Sequence, residues 1–569
     1  MSGRDIGSRR AALCQRFPVW VPRTLGDWLD VCAGEFPERP FVLTDALTLP
    51  YREVAEQSRR IAAGLRELGV GPGDRVGLIL ANYPQFVTLK FAIARVGAIA
   101  VPVNYLYRAD ELRYVLADSG CRVLITMTSF AGLDYQQMLD EIDPGWDTEA
   151  GGSSLAHVVL LPTGTAPRAG VLTVDRLQRH REDRAAAPNV RPPDPADLLY
   201  TSGTTGFPKG VLNSHDSVLR TAYASALSRA FEDGRRIVFA LPCYHMFGYI
   251  EGLLAVMFVG GAIIPLPEFS AEDYFRAVAV HHGTDLLCVP TMAVAMLESP
   301  ARADYDLGTL RALLCGSAPA PIWLWQQIER QFGVSEIVTG YGMTECGGAM
   351  TLTLPEDPLS RTVETVGRPK LAGAAGVPGT DALVVYRTVG PDGRETLPGD
   401  EGELVSRGPA TMLRYWNRPE DTAAVLRDGW LHSGDLGRVR PDGYVEVTGR
   451  TKELYKSGGE LVMPKEIEDL LASYDDISQV FAIGLTDERW GEIGAVVVVP
   501  APGATLTDAD VLDRCREHLA RFKVPKRVVF YKSEDLPTTA TGKVQKFRLA
   551  AELTDPASVR VGPPPRRER

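Results

Sequence analysis

Short apolar runs alternate with amphipathic stretches between about residues 75 and 127. The runs RVGLILAN, AIAVPVN and CRVLITM have the length and apolar content of buried strands. The stretches between them, PQFVTLKFAIARVG and ADELRYVLADSG, carry apolar residues at helical spacing. This alternation predicts an α/β domain built on a largely parallel sheet.

The same rhythm resumes between residues 236 and 338, where RRIVFALP, TDLLCVP and LRALLCG predict further strands. From residue 363 to residue 448, short strands are separated by Gly, Pro and Asp, which predicts a small β-barrel-like subdomain. The stretch from Asp143 to Asp197 has Gly, Ser and Pro clusters with few apolar residues between them. We expect it to form a long surface excursion that leads into the strand ADLLYTS.

A separate α+β unit is predicted after Gly449, with helices at MPKEIEDLLASY and DADVLDRCREHLAR and strands at QVFAIGL, EIGAVVVV and KRVVFY. The predicted fold class is therefore α/β. A large N-terminal domain, residues 1–449, combines α/β subdomains with the β-barrel-like one. A smaller, mobile lid domain spans residues 450–554, with a hinge near residues 450–452. The Pro- and Arg-rich tail, residues 555–569, is expected to be disordered.

The composition narrows the classes of partner. The chain has 569 residues, with 61 Lys and Arg against 72 Asp and Glu and a net charge of −11, which disfavours a nucleic-acid binder and favours small-molecule partners. The 8 cysteines contain no CxxC pair, as expected for reduced thiols. We expect a cytoplasmic protein, since the start lacks a secretory signal and the apolar stretch 252–267 is too short to span a membrane.

The strongest local signal is LYTSGTTGFPKG, residues 199–210, in which a strand runs into Ser, Thr and Gly residues before Lys209. Small residues let backbone N–H groups approach an anion, hydroxyls add donors, and a lysine adds positive charge. The segment is not a Walker loop, because Pro208 stands where that pattern requires glycine. A flexible turn would not explain the closing Pro-Lys-Gly. The candidate phosphate-binding residues are Thr201, Ser202, Gly203, Thr204, Thr205, Gly206 and Lys209.

These residues resemble the phosphate loop of the adenylate-forming superfamily, which includes acyl-CoA synthetases, adenylation domains of peptide synthetases and beetle luciferases. The resemblance continues, in the family's order, at LPCYHMFG, CGSAP, GYGMTE, WLHSGDLG, GRTKELYKSGGELVMPKEIE and PTTATGKVQK. It covers the chain from about residue 25 to residue 550. It implies ATP and Mg²⁺ as cofactors, with coenzyme A as co-substrate.

In GYGMTE, the resemblance implies that Tyr341 stacks on adenine, that Thr344 contacts the α-phosphate and that Glu345 holds Mg²⁺. Thr204 of the phosphate loop is a further candidate for the metal site. An aromatic face suits a purine, and a carboxylate oxygen suits a hard cation. Read alone, the hexapeptide favours a turn and a helix N-terminus with Thr344 as its cap.

The resemblance also implies that Asp435 in HSGDLG accepts hydrogen bonds from the ribose hydroxyls and that Arg450 adds a ribose or phosphate contact. A lone Asp in a Gly-rich turn is usually structural, so this role depends on the motif. Small residues are expected beside the adenine and the acyl group, where side-chain bulk would fill the site. They are Gly316, Ser317, Ala318, Gly340 and Gly342.

His245 in CYHMFG matches the aromatic position that lines and gates the acyl pocket, although a histidine in such company is often a packed core residue. Lys543 in TATGKVQK is the candidate for adenylation catalysis. A lysine that bridges the carboxylate and the α-phosphate would reduce the repulsion between the two anions. An isolated loop lysine would be solvent-exposed, and the TTATGK setting is what favours catalysis.

The resemblance places Lys452 at the hinge and Lys456 near the phosphate or carbonyl of the adenylate. Gly458 and Gly459 would form a narrow passage for the pantetheine arm of CoA. Lys543 and this glycine pair can serve one active site only if the lid rotates between half-reactions. The basic run between residues 521 and 532 is either a solvated face or a contact for the CoA phosphates.

The sequence therefore predicts an acyl-CoA synthetase that forms an acyl-adenylate from a carboxylic acid and MgATP, and then transfers the acyl group to CoA. The alternative is a stand-alone adenylation enzyme that loads a separate acyl or peptidyl carrier protein. Amino acids are disfavoured, because an enzyme that activates them would usually present an acidic residue for the substrate amine just after the aromatic block, and MFGYIEG offers only Glu251, on the apolar helix. A luciferase-like oxygenase is disfavoured by its rarity, and a nucleotide sensor by the presence of Lys209, Glu345 and Lys543. The residues expected to line the acyl pocket are mostly apolar or small, which favours a medium-chain, branched or aromatic acid. They are Tyr244, His245, Phe247, Val289, Pro290, Gly316 and Gly340. We expect a monomer or a homodimer.

Overall fold

The structure is a computed structural model that describes residues 5–148, 155–180, 188–201, 208–317, 320–450, 453–457, 460–487, 491–519, 523–539 and 542–554. Two large, mostly parallel sheets, an antiparallel sheet and a separate C-terminal sheet make up its framework. This arrangement is the predicted α/β class.

The first sheet carries the strand that enters the phosphate loop and the strand that leaves it. Parallel strands form its centre, and the two strands flanking the loop pair antiparallel to each other. Its strand order is Arg414–Tyr415, Lys209–Ser214, Pro195–Thr201, Ile99–Pro102, Arg75–Ile79, Val123–Met127, His157–Leu161 and Leu172–Thr173.

The second sheet presents the segments CVP and CGSAP at the carboxyl ends of neighbouring parallel strands. Ligands of open α/β sheets bind at this edge. Its strand order is Glu336–Val338, Ala312–Cys315, Asp285–Cys288, Arg236–Phe239, Ala262–Pro265, Pro40–Leu43 and Thr48–Pro50.

Helices cover both sheets and bury their apolar faces in continuous cores. Local chemistry sets several starts: Thr24 and Ser214 cap helices through their side chains, and Pro84 and Pro290 each occupy a first helical position. The helices of this part are Ile6–Arg16, Leu25–Glu35, Tyr51–Glu67, Pro84–Arg95, Ala109–Ser119, Tyr135–Ile142, Val174–Leu177, His215–Ser228, Ala271–His281, Pro290–Glu298, Ile322–Phe332, Arg361–Glu364 and Pro419–Val425.

The predicted barrel-like subdomain is an antiparallel sheet whose long central strand, Trp430–Val439, carries the HSGDLG motif. Its other strands are Val385–Val389, Gly402–Arg407, Leu426–Arg427 and Val445–Arg450. A smaller antiparallel sheet of Gly340–Met343, Gly348–Leu352 and Arg368–Pro369 carries GYGMTE. These two sheets therefore hold the predicted nucleoside contacts.

The C-terminal unit has apolar cores on both faces of one sheet. Val496 and Val498 pack in one core, and Ala495 and Val497 in the other, as the alternation of side chains along a strand dictates. The strands are Tyr455–Ser457, Glu460–Val462, Ile477–Asp487, Gly491–Pro500 and Arg527–Phe530. The helices are Pro464–Ala472, Asp508–His518 and Lys546–Thr554.

Two segments differ from the sequence prediction. The described part of the stretch from Asp143 to Asp197 is not only a surface excursion, because its strand His157–Leu161 pairs with Val123–Met127 and extends the first sheet. The apolar segment after the CYHMFG block is buried as predicted, but its helix Phe247–Leu254 has π-helical rather than α-helical bonding. Among the described residues, no helix is both long enough and apolar enough to cross a bilayer.

Candidate active site

A buried carboxylate, a tyrosine and an arginine form the centre of the predicted nucleoside site. Asp435 is 2% exposed. The Tyr341 hydroxyl donates to its Oδ2, and Arg450 Nε donates to its Oδ1 at 2.7 Å. Burial, followed by the Asp435 charge, raises the pKa of Tyr341 well above its usual range. The site thus combines an aromatic ring with a carboxylate that is fixed in orientation, as a nucleoside would require.

Glu345 lies in the 3₁₀ turn Thr344–Cys346, directly after the strand Gly340–Met343, and its burial raises the pKa of its carboxyl group. The Tyr415 hydroxyl donates to Glu345 Oε1 at 2.7 Å and opposes that rise. The neighbouring Thr344 is also buried, and its carbonyl accepts a hydrogen bond from Asn213 Nδ2 at 3.4 Å. A carboxylate held in this way can present oxygen to a hard cation.

Lys209 stands at the exit of the phosphate loop, where it pairs in register with Thr201 across the antiparallel strands. Its Nζ lies 3.0 Å from Asp421 Oδ1 and 5.4 Å from the centroid of the Tyr415 ring. Tyr415 therefore contacts both the Lys209 ammonium, through its ring, and the Glu345 carboxylate, through its hydroxyl. The predicted loop residues Ser202, Gly203, Thr204, Thr205 and Gly206 lie outside the described residues.

Close packing explains several of the predicted small residues. A Cβ at Gly340 would lie 2.4 Å from the Thr351 carbonyl oxygen, and one at Gly342 would lie 2.0 Å from the Gly348 carbonyl oxygen, so these positions exclude side chains. At Gly316 the space opens onto the Phe247 ring, whose nearest atom would lie 3.5 Å from a Cβ. Ser317 follows with a φ of 74°, and Ala318 lies outside the described residues.

His245 is half-buried at the start of the π-helix, and its Nδ1 accepts a hydrogen bond from the Phe247 backbone N–H at 3.2 Å. Burial, with a smaller contribution from the Lys543 charge, lowers the pKa of His245 to about 4. The imidazole is therefore neutral near pH 7.

Lys543 reaches the same cleft from the C-terminal unit. A Cβ at the preceding Gly542 would lie 2.7 Å from Val289 Cγ2, so the loop is docked on the second sheet's carboxyl edge. Lys543 is exposed to solvent, yet the protein mass around its ammonium and then the Arg450 charge lower its pKa to about 8. The carboxylates of Glu453 and Asp435 act in the opposite direction. Lys543, Asp435 and Arg450 therefore belong to one electrostatic cluster.

A charged contact joins the lysine loop to the start of the lid. Lys546 Nζ lies 2.7 Å from Glu468 Oε1 and 3.2 Å from Glu453 Oε2. Glu453 follows the predicted hinge closely, so the Lys543 loop is tied to the segment from which the lid would turn. Lys452, Gly458 and Gly459, and the side chain of Lys456, lie outside the described residues.

Residues 29–416 match the family model of the AMP-binding enzymes, and residues 466–543 match that of the AMP-binding enzyme C-terminal domain. The chain belongs to the AMP-binding enzyme family. No group of three or more His, Cys, Asp or Glu that could hold a metal exists in the described part of this AMP-binding enzyme.

Several relatives of this AMP-binding enzyme have names that describe the joining of an acid to CoA. A feruloyl-CoA synthase of Amycolatopsis sp is 35% identical over 92% of this chain and 97% of its own. An indoleacetate–CoA ligase of Aromatoleum aromaticum is 34% identical over 92% of this chain and 96% of its own. The crystal structure of an anthranilate CoA ligase with anthranoyl-AMP matches with a TM-score of 0.81 and 25% identity, over 95% of this chain and 99% of that one.

These matches confirm the predicted family, the fold class and the reaction class, an ATP-dependent AMP-forming acid–thiol ligase. ATP, CoA and a small carboxylic acid are the substrates that fit this AMP-binding enzyme. The roles of the individual site residues and the domain boundaries stay predictions.

Sequence reasoning missed two residues of the site, Tyr415 and Asp421. Both follow the strand Gly402–Arg407, in a segment that none of the recognised motif blocks contains. Their contacts with Glu345 and Lys209 depend on pairing between strands some two hundred positions apart in the chain, Lys209–Ser214 and Arg414–Tyr415. No local sequence signal marks that pairing.

Proposed function

We propose that this AMP-binding enzyme activates an apolar, ring-bearing monocarboxylic acid with MgATP and transfers its acyl group to CoA. The observation that supports the proposal is the docking of the loop that carries Lys543, where a Cβ at Gly542 would lie 2.7 Å from Val289 Cγ2 at the carboxyl edge of the second sheet. The charges of Arg450 and Asp435 also act on the pKa of Lys543. In adenylation a carboxylate approaches the α-phosphate, and both are anionic. An ammonium at this position offsets that repulsion and fixes the line of attack.

The donor chemistry fits Mg²⁺ as the metal of the proposal. Magnesium keeps several waters and is bound by one or two carboxylates together with substrate phosphates, rather than by a complete protein cage. Glu345 is a buried carboxylate of this kind, and Thr204 is the second candidate from the sequence. Mg²⁺ would supply positive charge that stabilises the triphosphate and the leaving pyrophosphate.

The surroundings of the proposed acyl pocket favour an acid whose acyl part is apolar and carries no ammonium group. Phe247 faces the open side of Gly316, which provides a flat apolar wall. Glu251 cannot serve as the partner of a substrate ammonium, because Lys370 pairs with its Oε1 and Ser225 donates to its Oε2. Feruloyl, indoleacetate and anthranoyl groups, named in the relatives, are all ring-bearing acids.

The test of the proposal is the separation of its two half-reactions in a Lys543→Ala variant. We expect acid-dependent pyrophosphate release to fall by about a hundredfold to a thousandfold, the loss seen when one preorganised transition-state contact is removed. Thiolysis of a supplied acyl-adenylate by CoA should stay within a few-fold of the unmodified enzyme. The measurements are pyrophosphate release with aryl, medium-chain and amino acids, and CoA ester formation from the adenylate.

Arg516→Ala provides the matched control, because Arg516 is another cationic side chain of the lid, lies outside the basic run 521–532, and is 57% exposed on the helix Asp508–His518. It should leave both half-reactions unchanged. Equal loss of both half-reactions in Lys543→Ala would contradict the assignment of Lys543. Acyl transfer that proceeds only with a carrier protein, and not with CoA, would favour the alternative acceptor.

A further inference from the structure

The segment from Met412 to Thr422 joins the phosphate loop to the turn that carries Glu345. The Met412 backbone N–H donates to the Glu345 carbonyl at 2.7 Å, and Tyr415 pairs in register with Val211. One residue later, the Trp416 backbone N–H donates to the Gly210 carbonyl at 2.8 Å. Backbone bonds therefore fix Tyr415 between the two parts of the site that meet the triphosphate.

The Tyr415 side chain contacts a predicted functional group on each side. Its hydroxyl donates to Glu345 Oε1 at 2.7 Å, and the Lys209 ammonium lies 5.4 Å from its ring centroid. The residue is 7% exposed, and its backbone N–H donates to Thr422 Oγ1 at 3.0 Å. It has little freedom to move away from either group.

Tyr415 contacts two groups of opposite charge, the Glu345 carboxylate and the Lys209 ammonium, and restrains each by a different physical effect. A hydrogen bond to a carboxylate oxygen limits rotation of the carboxyl group, and bonds to charged groups are the stronger ones. The face of an aromatic ring carries a negative quadrupole that attracts an ammonium within about 6 Å. Asp421 holds the same ammonium from the other side at 3.0 Å, so Lys209 keeps one place before nucleotide arrives.

We propose that Tyr415 is a positioning residue for adenylation, which orients the Glu345 carboxylate through its hydroxyl and the Lys209 ammonium through its ring. The metal carboxylate and the phosphate lysine then approach the triphosphate from fixed positions, and less ordering is needed when MgATP binds. This inference rests on the proposed function, because it needs Glu345 to meet the metal. It adds a residue that belongs to none of the recognised motifs.

The experiment compares Tyr415→Phe, which keeps the ring and removes the hydroxyl, with Tyr415→Leu, which removes both contacts. Tyr415→Phe should raise the half-saturating Mg²⁺ concentration for pyrophosphate release by about tenfold, the effect of one lost hydrogen bond to a charged group. By calorimetry, binding of MgATP should weaken and binding of metal-free ATP should not. Tyr415→Leu should weaken metal-free ATP binding as well. CoA thiolysis of supplied acyl-adenylate should be unaffected in both.

Tyr444→Phe is the matched control, since Tyr444 is as buried as Tyr415 and its hydroxyl donates to Asp357 at 2.7 Å. It removes the same kind of bond outside the site, so it should lower the thermal unfolding temperature without changing the Mg²⁺ dependence. An unchanged Mg²⁺ half-saturation in Tyr415→Phe would overturn the inference, and so would a change equal to that in Tyr444→Phe.

Glu345→Gln separates failure of the inference from failure of the proposed function. If Glu345→Gln raises the Mg²⁺ requirement and Tyr415→Phe does not, the inference alone fails. If Glu345→Gln leaves the Mg²⁺ requirement unchanged, the metal assignment within the proposed function fails, and the role of Tyr415 fails with it.

Discussion

The ammonium of Lys543 occupies a place where the protein both opposes and supports its charge. Burial and the nearby Arg450 guanidinium lower its pKa to about 8, while Glu453 and Asp435 favour the charged form. The proposed role needs the protonated side chain. Because that form is present below the pKa, it is lost as the pH rises through about 8.

We therefore expect adenylation by the free enzyme to decline above about pH 8, by about tenfold for each further pH unit. The measurement is kcat/KM for acid-dependent pyrophosphate release between about pH 6.5 and pH 9.5. His245, with a pKa of about 4, is neutral over this range and adds no second inflection. Lys543→Arg keeps its charge throughout and should show a lower but flat profile. A flat profile in the unmodified enzyme would contradict the expectation.

A buried ion pair holds the π-helix Phe247–Leu254 that forms one wall of the proposed acyl pocket. Lys370 and Glu251 are both fully buried, and Ser225 and Arg229 bond to the side chain and the carbonyl of Glu251. Burial lowers the pKa of Lys370, and the Glu251 charge opposes that shift. The pair therefore connects this helix to the helix His215–Ser228 and to the loop at Lys370.

Replacing one partner of this pair should lower the free energy of unfolding much more than replacing both. Lys370→Met leaves the Glu251 charge buried without its ammonium, and the free energy of unfolding should fall by about 3–5 kcal/mol. The double variant Glu251→Leu, Lys370→Met should recover most of that loss. Denaturant unfolding of the two variants and the unmodified enzyme measures the difference. A double variant no more stable than the single one would contradict this account.

The strands of the parallel sheets were predictable because their apolar runs are buried on both faces and are bounded by turn residues. The π-helical bonding of Phe247–Leu254 was not, because a buried apolar run does not distinguish a π-helix from an α-helix. The strand His157–Leu161 was missed because it lies between Gly- and Pro-rich segments that are typical of loops. Its sheet partner is more than thirty positions earlier in the chain.

The candidate site was predictable where a motif carries the chemistry within a few residues, as in GYGMTE, HSGDLG and TATGKV. The hydrogen bond between Asp435 and Arg450 follows from strand pairing, and the approach of the Lys543 loop to the second sheet follows from docking of the lid. A linear pattern encodes neither. Tyr415 and Asp421 act through their neighbours and carry no signature of their own. Their identification required the three-dimensional arrangement.

At the scale of the whole molecule, docking of the lid depends on the small size of Gly542. The residue has a φ of 74°, and a Cβ there would lie 2.7 Å from Val289 Cγ2. Gly542→Ala should therefore reduce adenylation by about tenfold, since overpacking of this kind costs about 1–3 kcal/mol. Thiolysis of supplied acyl-adenylate should be reduced much less.

Gly503→Ala is the control for the backbone strain that a side chain causes at any glycine with a positive φ. Gly503 is also in the lid with a φ of 79°, but a Cβ there would meet nothing within 4 Å. It should therefore destabilise the lid without selectively slowing adenylation. Rates of the two half-reactions, measured beside thermal unfolding for each variant, provide the comparison. Equal rate losses in Gly542→Ala and Gly503→Ala would show that contact with Val289 is not what matters.

Arg450 is fixed to the large domain twice, by strand pairing with Asp435 and by the 2.7 Å bond between their side chains. Any turn of the lid that begins after this residue leaves the guanidinium where it is. The sugar end of the intermediate would then remain anchored during the handover from one half-reaction to the next. A reactive mixed anhydride held by its nucleotide half would thus be less able to dissociate before the thiol arrives.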